Sequence, residues 1–368
     1  MKIRSVEAIP LDIRFKEIFS FGSTDRDRSP NVIVRMTTDE GIVGYGEACP
    51  MPAFTGETQE SVVATIEGRL KNLLVGRDPL QHEPIVRDLE KVLFRSPFTL
   101  AAIDVALWDI AGKILGVPVS VLLGGRFRER VEQHGSVGMG TGESMSNTSL
   151  EQLEQGYSTL KLYAGRDALQ EDLGRLESVR QAVGQDICFI LDVNGRWDVA
   201  TCLRAIPVLE ELSVTLLEQP VAAWDERGQA EVVSRSTIEV MADEAVFGPT
   251  DVARIGRGRT ARVINLGLSK LGGLLRAREC ATVALSSGLK VAVGSVLELG
   301  VASAAGLHLS ASLPELAAPS YLMGPLKYER QITTVPLEVR DGEMEVPSRP
   351  GLGIEVDEEF LHAADPRR

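Results

Sequence analysis

The sequence predicts a two-domain α/β protein, a small α+β unit of strands followed by helices and then a parallel (β/α) barrel. Three observations carry this prediction. The 368 residues, 44% of them hydrophobic, are enough to bury a large core, and length alone suggests about two domains. Period-two alternation in the first 50 or so residues gives way to helical spacing up to about residue 125. Beyond it, short apolar runs alternate with amphipathic segments, and nearly every run closes on a polar residue.

In the first unit, "VEAIPLDI", "NVIVRMTT" and "IVGYGEA" read as strands, and the turn at Asp39-Glu40-Gly41 is a hairpin signal. "TQESVVATIEGRLKNLL" and "PFTLAAIDVALWDIAGKILG" then place apolar residues three and four apart, with Gly116-Val117-Pro118 as a helix stop. The N-terminus alternates like a strand and lacks the apolar core and cleavage site of a signal peptide, and no apolar run is long enough to span a bilayer. A soluble, cytoplasmic protein with no membrane partner is expected.

In the second unit, "VEQHGSVGMG", "STLKLYAG", "ICFILDVN", "VTLLEQP", "EVMADEAV", "ARVINLGLSK" and "KVAVGSVLE" read as buried parallel strands, with segments such as "LQEDLGRLESVRQAV" as crossover helices. Polar residues end them at Lys161 and Tyr163, Asp192 and Asn194, Glu218, Asp243, Lys270 and Glu298. The spacing is roughly 25 to 30 residues, close to the ~250 residues that a β/α barrel divides over eight units. An open doubly wound sheet alternates similarly but needs no ionisable group at the end of so many strands. A barrel brings all of those ends to one mouth. The expected boundaries are an α+β domain over 1–125 and a barrel over 126–325. The tail, about 326–368, returns to the first domain as strands through "ITTVPLEVRDGEMEVPSRPGLGI".

A net charge of −13 with no clustered Lys/Arg stripe argues against a nucleic-acid partner, because cationic contacts carry most of that affinity. Cys49, Cys188, Cys202 and Cys280 form no CxxC pair, and His82, His134, His308 and His362 are too dispersed for a zinc signature. The chemistry must come mainly from carboxylates and lysines.

Asp192, Glu218 and Asp243 on three successive strands supply the ligand type and number suited to a hard divalent cation such as Mg²⁺. Three buried anions repel unless a metal or protonation neutralises them. A lone acid at such a place usually caps the next helix or pairs with a surface base, but three in successive repeats argue for a shared site. Lys161 and Tyr163, two apart on one strand, share a face. Lys161 precedes the acids and Lys270 follows them, so the two approach a bound ligand from opposite sides. A lysine near a dication and other cations has a depressed pKa and can act as a neutral base. Without that context, Lys270 reads equally well as a solvated lysine.

"KLY" with "LDVN", "LLEQP", "MADEAV" and "INLGLSKLGG" resembles the enolase superfamily, within it the muconate-lactonizing-enzyme subgroup of the mandelate racemase/muconate lactonizing enzyme family. That subgroup carries KxK, DxN, EQP, DE and KxGG-like segments at these strand ends. "GIVGYGEA", "AAIDVALWDIAGKILGVPVSVLLGG" and "PGLGI" extend the resemblance over almost the whole chain. It implies a modified (β/α)7β TIM-type barrel with an α+β capping domain formed by the N-terminal region and the C-terminal tail. It also implies that Asp192, Glu218 and Asp243 ligate Mg²⁺, that the metal binds a substrate carboxylate, and that a lysine removes the α-proton to give an enolate. Lys161 resembles the first lysine of KxK, which contacts the substrate carboxylate. Lys270 resembles the opposing acid/base, and Glu298 the seventh-strand acid that assists it, with a helix cap as the plain alternative. Tyr163 stands where the second lysine is usual. Either the metal and Lys161 lower its pKa from about 10 and it is an acid/base, or it donates a hydrogen bond and Lys270 is the only base. A third option gives the acid/base role to Lys161.

The segment "MPAFTGETQESV" resembles the capping loop of the subgroup's dipeptide epimerases, which puts Phe54 and Thr55 among the substrate contacts, with Asn194 of the DxN segment. The eighth strand of those epimerases carries Asp-x-Asp for the substrate ammonium. Here "SYLMGPL" puts Tyr321 and Met323 in those places, against an α-amino dipeptide. "LMGPL" is closer to the cycloisomerase branch, whereas the missing second lysine argues against muconate lactonization. Specificity is expected from a loop at 15–30 and another at 51–58. The expected activity is isomerisation of a small carboxylate, as a racemase, epimerase or cycloisomerase. The alternatives are a dehydratase or other β-eliminating lyase on a hydroxy acid or imino acid, and a catalytically degenerate barrel that only binds a ligand. Family habit implies a homo-oligomer built from dimers.

Overall fold

The alternating N-terminal residues form an antiparallel sheet in the order β1 (Ile3–Phe21), β2 (Thr24–Thr38), β3 (Val43–Ala48). This computed structural model describes residues 1–21 and 24–365. Gly22 and Ser23, inside the 15–30 stretch expected to shape specificity, and residues 366–368 lie outside the described residues. Among the described residues of that stretch, β1 extends to Phe21 and β2 starts at Thr24, with a break in register between Arg14 and Phe19. On β2 the alternation puts Val32, Val34 and Met36 inside, as period two requires.

Helix Pro97–Leu115 begins with proline and stops at Gly116, whose φ of 69° is the left-handed conformation that ends helices. Phe98 to Gly112 are buried all round. A helix apolar on every face must be enclosed, and this one lies against β3 on one side and the barrel's helical turns on another. At Gly46 of β3 an added Cβ would lie 1.7 Å from the Ala102 carbonyl oxygen, so strand and helix touch backbone to backbone.

The chain enters the barrel through β4 (Arg130–Glu132). Seven parallel strands follow in chain order: β5 (Gly135–Val137), β6 (Thr159–Tyr163), β7 (Cys188–Asp192), β8 (Val214–Glu218), β9 (Glu239–Ala242), β10 (Val263–Asn265) and β11 (Lys290–Ala292). The segment 317–322 closes the circle irregularly. Ala317 N and Tyr321 N donate to Val291 O and Val293 O at 2.8 and 3.0 Å, and His134 N donates to Ser320 O at 3.1 Å. Leu160, Leu162, Phe189, Leu191 and Leu217 point outward to the helices, while Ile190, Leu216, Met241, Val263 and Ala292 fill the interior. With the lumen plugged, the polar residues at the strand ends can gather only at the C-terminal mouth.

The tail differs in detail from its sequence expectation. Its strands β12 (Val339–Arg340) and β13 (Glu343–Glu345) pair with each other, and β13 pairs with β4, so they join no strand of the β1–β3 sheet. Arg130 Nε meets Glu343 at 2.6 Å and Met344 is buried beneath the pair. The tail meets the first domain on both sides of this pairing: before it, Glu329 N donates to Arg14 O at 3.0 Å and Tyr328 stacks on Phe15; after it, Leu352 N donates to Asp109 Oδ1 at 2.8 Å, and helix Glu358–Ala364 brings Glu358 to 3.0 Å from Arg35. Among the described residues no helix is long and apolar enough to cross a membrane, and all four cysteines are free.

Candidate active site

Strand register sets the levels at the mouth. Tyr163 pairs with Asp192, and Asp192 with Glu218, so a phenol and two carboxylates stand in one row at the ends of β6, β7 and β8. Lys161 pairs with Ile190, one layer deeper, and its long stem lifts its ammonium to that row. Asp243 follows β9, and Lys270 lies in the helical turn Leu268–Leu271 after β10. Between β6 and β10 lie three strands of the closed circle, so Lys161 and Lys270 face the lumen from opposite walls.

All of these groups are buried or nearly so. Lys161 Nζ lies 2.8 Å from Asp192 Oδ2 and 2.7 Å from Glu218 Oε2. Burial by itself would favour neutral Lys161, but the two carboxylates override it and hold its pKa well above the ordinary lysine value. Burial and then the charge of Asp192 push Glu218 up to about 8, and burial also raises Asp192.

Among the described residues no three His, Cys, Asp or Glu side chains are drawn together as a metal cluster. The reason is local: Lys161 bridges Asp192 and Glu218, while Lys270 Nζ takes Asp243 Oδ1 at 2.7 Å. The donor set still fits a hard cation. It consists of carboxylate oxygens, and behind it Glu244 Oε2 and Asn194 Oδ1 are buried without hydrogen-bond partners. Asn194 adopts a φ of 48°, donates its backbone N–H to Asp192 Oδ1 at 2.9 Å and its side-chain amide to Glu244 Oε1 at 3.1 Å. Asn265 Nδ2 donates to Glu218 Oε1 at 3.0 Å.

Lys270 also donates to the Asp243 and Val246 carbonyls. Gly267 makes room for its stem, since a Cβ there would lie 2.8 Å from Lys270 Cε. Glu298 accepts from Ser269 Oγ at 2.6 Å and from Val296 N at 3.0 Å, so it braces the residue next to Lys270. It does not cap the following helix, Gly300–Ser312. Glu47 of β3 does that, accepting from Leu299 N at 2.5 Å and Ala302 N at 3.0 Å.

Tyr163 is buried, with its hydroxyl 3.5 Å from Ser136 Oγ and the Lys161 ammonium 5.5 Å from its ring centre. Burial pushes the phenol up to about 12 and outweighs the downward pull of Lys161. At neutral pH it is a proton donor.

Phe54, Tyr321, Asn194 and Glu298 line the cavity with the two lysines and the three acids. Thr55 and Met323 do not. Thr55 Oγ1 donates to Glu57 at 3.1 Å, and Met323 is buried beside Phe15 and Lys327 in a separate hollow. His134 was missed by sequence reasoning, which set it aside as one dispersed histidine. Its ring stacks on Tyr321 with centres 4.8 Å apart and planes 3° apart, and its Nδ1–H donates to Gly135 O at 3.0 Å. Burial and then the Lys161 charge push it down to about 3, so it is a neutral wall of the cavity. Gln219 of "EQP" was also missed. Its Oε1 accepts from Asp243 N and Ala245 N at 3.0 and 3.2 Å, which locks the end of β8 to the loop that presents Asp243.

Residues 145–360 match the enolase C-terminal domain-like family, and residues 12–124 match the mandelate racemase / muconate lactonizing enzyme N-terminal domain. The chain belongs to the enolase superfamily. Within it the chain falls in the mandelate racemase/muconate lactonizing enzyme family and is an enzyme of isomerase type. It is 35% identical to the N-succinyl-L-Arg/Lys racemase of Bacillus cereus over 364 residues, 98% of this chain and 97% of the relative. Muconate cycloisomerase 1 of Rhodococcus opacus is 33% identical over 360 residues, 97% and 96% of the two chains. The crystal structure of the Bacillus cereus N-succinyl Arg/Lys racemase superposes with a TM-score of 0.96 at 33% identity, covering 100% of this chain and 98% of that one. The α/β barrel and its capping sheet are thus shared with enzymes of this superfamily.

Proposed function

We propose that this member of the muconate-lactonizing-enzyme subgroup is a Mg²⁺-dependent isomerase that removes the α-proton of a small carboxylate substrate, with Lys270 as the acid/base. The observation that carries the reading is the division of labour across the lumen. Lys270 stands on one wall, paired with one acid, Asp243; on the other, Lys161 is held as a cation by two acids and Tyr163 keeps its proton.

Asp192, Glu218 and Asp243 would hold Mg²⁺. When bound, the ion supplies a Lewis acid that offsets their charge and stabilises negative charge developing on the substrate carboxylate. The chain's own residues do the rest. Lys161 presents a fixed positive charge to an anionic substrate, Lys270 Nζ takes the α-proton, and Glu298 holds Ser269 and with it the Lys270 turn. Phe54, Tyr321 and His134 exclude water with an apolar and aromatic wall. Tyr163 donates a hydrogen bond to the reacting group. The enzyme acts in the cytoplasm as a homo-oligomer with no nucleic-acid partner.

A β-elimination from a hydroxy acid is the second reading. One observation favours it: a protonated phenol beside the carboxylate row can hand its proton to a departing hydroxyl.

The deciding experiment incubates the enzyme with Mg²⁺ and a library of N-acyl amino acids, dipeptides, cyclic imino acids and lactones in D₂O, followed by NMR and mass spectrometry. Lys270-dependent incorporation of one α-deuteron with an isomeric product supports the proposal. Loss of water supports the second reading, and turnover that survives both chelation and Lys270→Ala excludes both.

A further inference from the structure

The turn that carries Lys270 is held from behind by the capping domain. After Lys270 the chain passes through Gly272 and Gly273, at φ of 93° and 108°, into helix Leu274–Ser286. That helix has no cap of its own, because its N-cap residue is Gly273. The missing acceptor arrives from another domain. Leu274 N donates to Asp104 Oδ2 at 2.6 Å, and Leu275 N approaches the same oxygen at 3.4 Å. Asp104 belongs to helix Pro97–Leu115 and has no exposed surface.

A buried carboxylate is costly unless its oxygens are satisfied. The second oxygen of Asp104 accepts from His82 Nε2 at 2.8 Å, and the His82 ring meets Trp108 edge-on with centres 4.7 Å apart. Gly273 is required here on two counts, its positive φ and the absence of a Cβ, which would come 2.3 Å from Asp104 Oδ2. Gly272 is pressed by Leu100 of the same capping-domain helix, 3.2 Å from where a Cβ would stand. None of these residues lines the cavity.

We infer that Asp104, held by His82, is the positioning residue of Lys270: it pins the amino end of the following helix across the domain boundary and so fixes where the Lys270 turn meets the lumen. A negative charge at a helix N-terminus also matches the helix dipole. The inference rests on the proposed role of Lys270 as acid/base. It explains the first of the two aspartates, Asp104, that interrupt the apolar helix at "AAIDVALWDIAG".

The test compares wild type, Asp104→Asn, Asp104→Ala and His82→Ala. It uses amide hydrogen exchange by mass spectrometry, melting temperature, and kcat and KM for the substrate found in the D₂O screen. The expected result is exchange about tenfold faster over residues 268–276 in the Asp104 variants, with β6–β8 unchanged. Their kcat should fall on the order of ten- to a hundredfold with KM within about twofold, since misplacement of a base affects chemistry more than binding. His82→Ala should show the same pattern at smaller amplitude, and it decides the matter if Asp104→Ala does not fold. Unchanged exchange over 268–276, or loosening there with kcat intact, overturns the inference. Full activity in Lys270→Ala would instead remove the proposed base and leave the exchange result for Asp104 standing.

Discussion

Tyr163 and Asp192 are register partners at the ends of β6 and β7, so a phenol stands beside a carboxylate at the mouth of the barrel. Parallel pairing puts the side chains of both on the same face. The consequence is electrostatic. Burial, and to a lesser degree the neighbouring carboxylate, favour the neutral phenol, and Lys161, which opposes them, is occupied by Asp192 and Glu218. Across the lumen Lys270 is paired with one acid, Asp243, and is the base proposed above.

The carboxylate row predicts a metal requirement. Glu218→Gln keeps the side chain's size but removes a charge, so the variant is expected to lose activity by at least about a hundredfold. Millimolar Mg²⁺ should raise the melting temperature of wild type, because an ion that binds only the folded state stabilises it by mass action. The same addition should leave Glu218→Gln nearly unmoved. Undiminished turnover of wild type in excess chelator would contradict the prediction.

The row of acids was legible in the sequence because period-two strands and a repeat of 25 to 30 residues place successive strand ends at one mouth. What the side chains do there was not legible. The capture of Asp192 and Glu218 by Lys161 depends on the length of the lysine stem and a register one layer deeper. The pairing of β13 with β4 depends on where the tail leaves the barrel, which no local pattern encodes. The capping of barrel helices by Glu47 and Asp104 spans 252 and 170 residues of sequence. Such contacts leave only an oddity in the sequence, a carboxylate inside an apolar run.

His308 predicts a pH dependence of stability. Its ring is fully buried, with Nδ1 accepting from Ser120 N at 3.2 Å and Nε2 donating to Leu352 O at 3.1 Å. Burial pushes its pKa down to about 4. Protonation would turn Nδ1 into a donor facing a donor, so the folded state resists the proton that the unfolded chain accepts near 6.5. Stability is therefore complete above that value and is lost as pH falls toward 4. The loss is about 3 kcal/mol over the window. Urea melts from pH 7 to 4 should show His308→Gln flatter than wild type by roughly that amount, and parallel curves would refute the assignment.

The contact between β3 and helix Pro97–Leu115 predicts that Gly46→Ala is severely destabilising. Its new methyl group would stand 1.7 Å from the Ala102 carbonyl oxygen, and both partners are backbone, so neither can rotate away. The expected loss is about 1–3 kcal/mol or more, as for overpacked cores. Gly41→Ala, where nothing lies within 4 Å, serves as the control, although its φ of 85° carries a backbone cost of its own. Equal melting temperatures for the two variants would show that the sheet and helix yield more easily than their backbone contact implies.

Tyr163 itself separates a one-base from a two-base reaction. A 1,1-proton transfer needs an acid/base on each face of the planar intermediate, whereas a single-base reaction needs only Lys270. With the phenol pushed up to about 12, Tyr163 is a poor base, and Tyr163→Phe should lose mainly affinity. Its kcat is expected to stay within about tenfold of wild type, with one lost hydrogen bond appearing in KM. Lys270→Ala should abolish α-proton exchange with D₂O altogether. The measurement is exchange of each enantiomer of the substrate followed separately by NMR. If wild type exchanges both enantiomers and Tyr163→Phe selectively loses one of them, then the phenol is the second acid/base. In that case bound substrate and metal must lower its pKa by several units, and the enzyme is a racemase or epimerase with a tyrosine as its second acid/base.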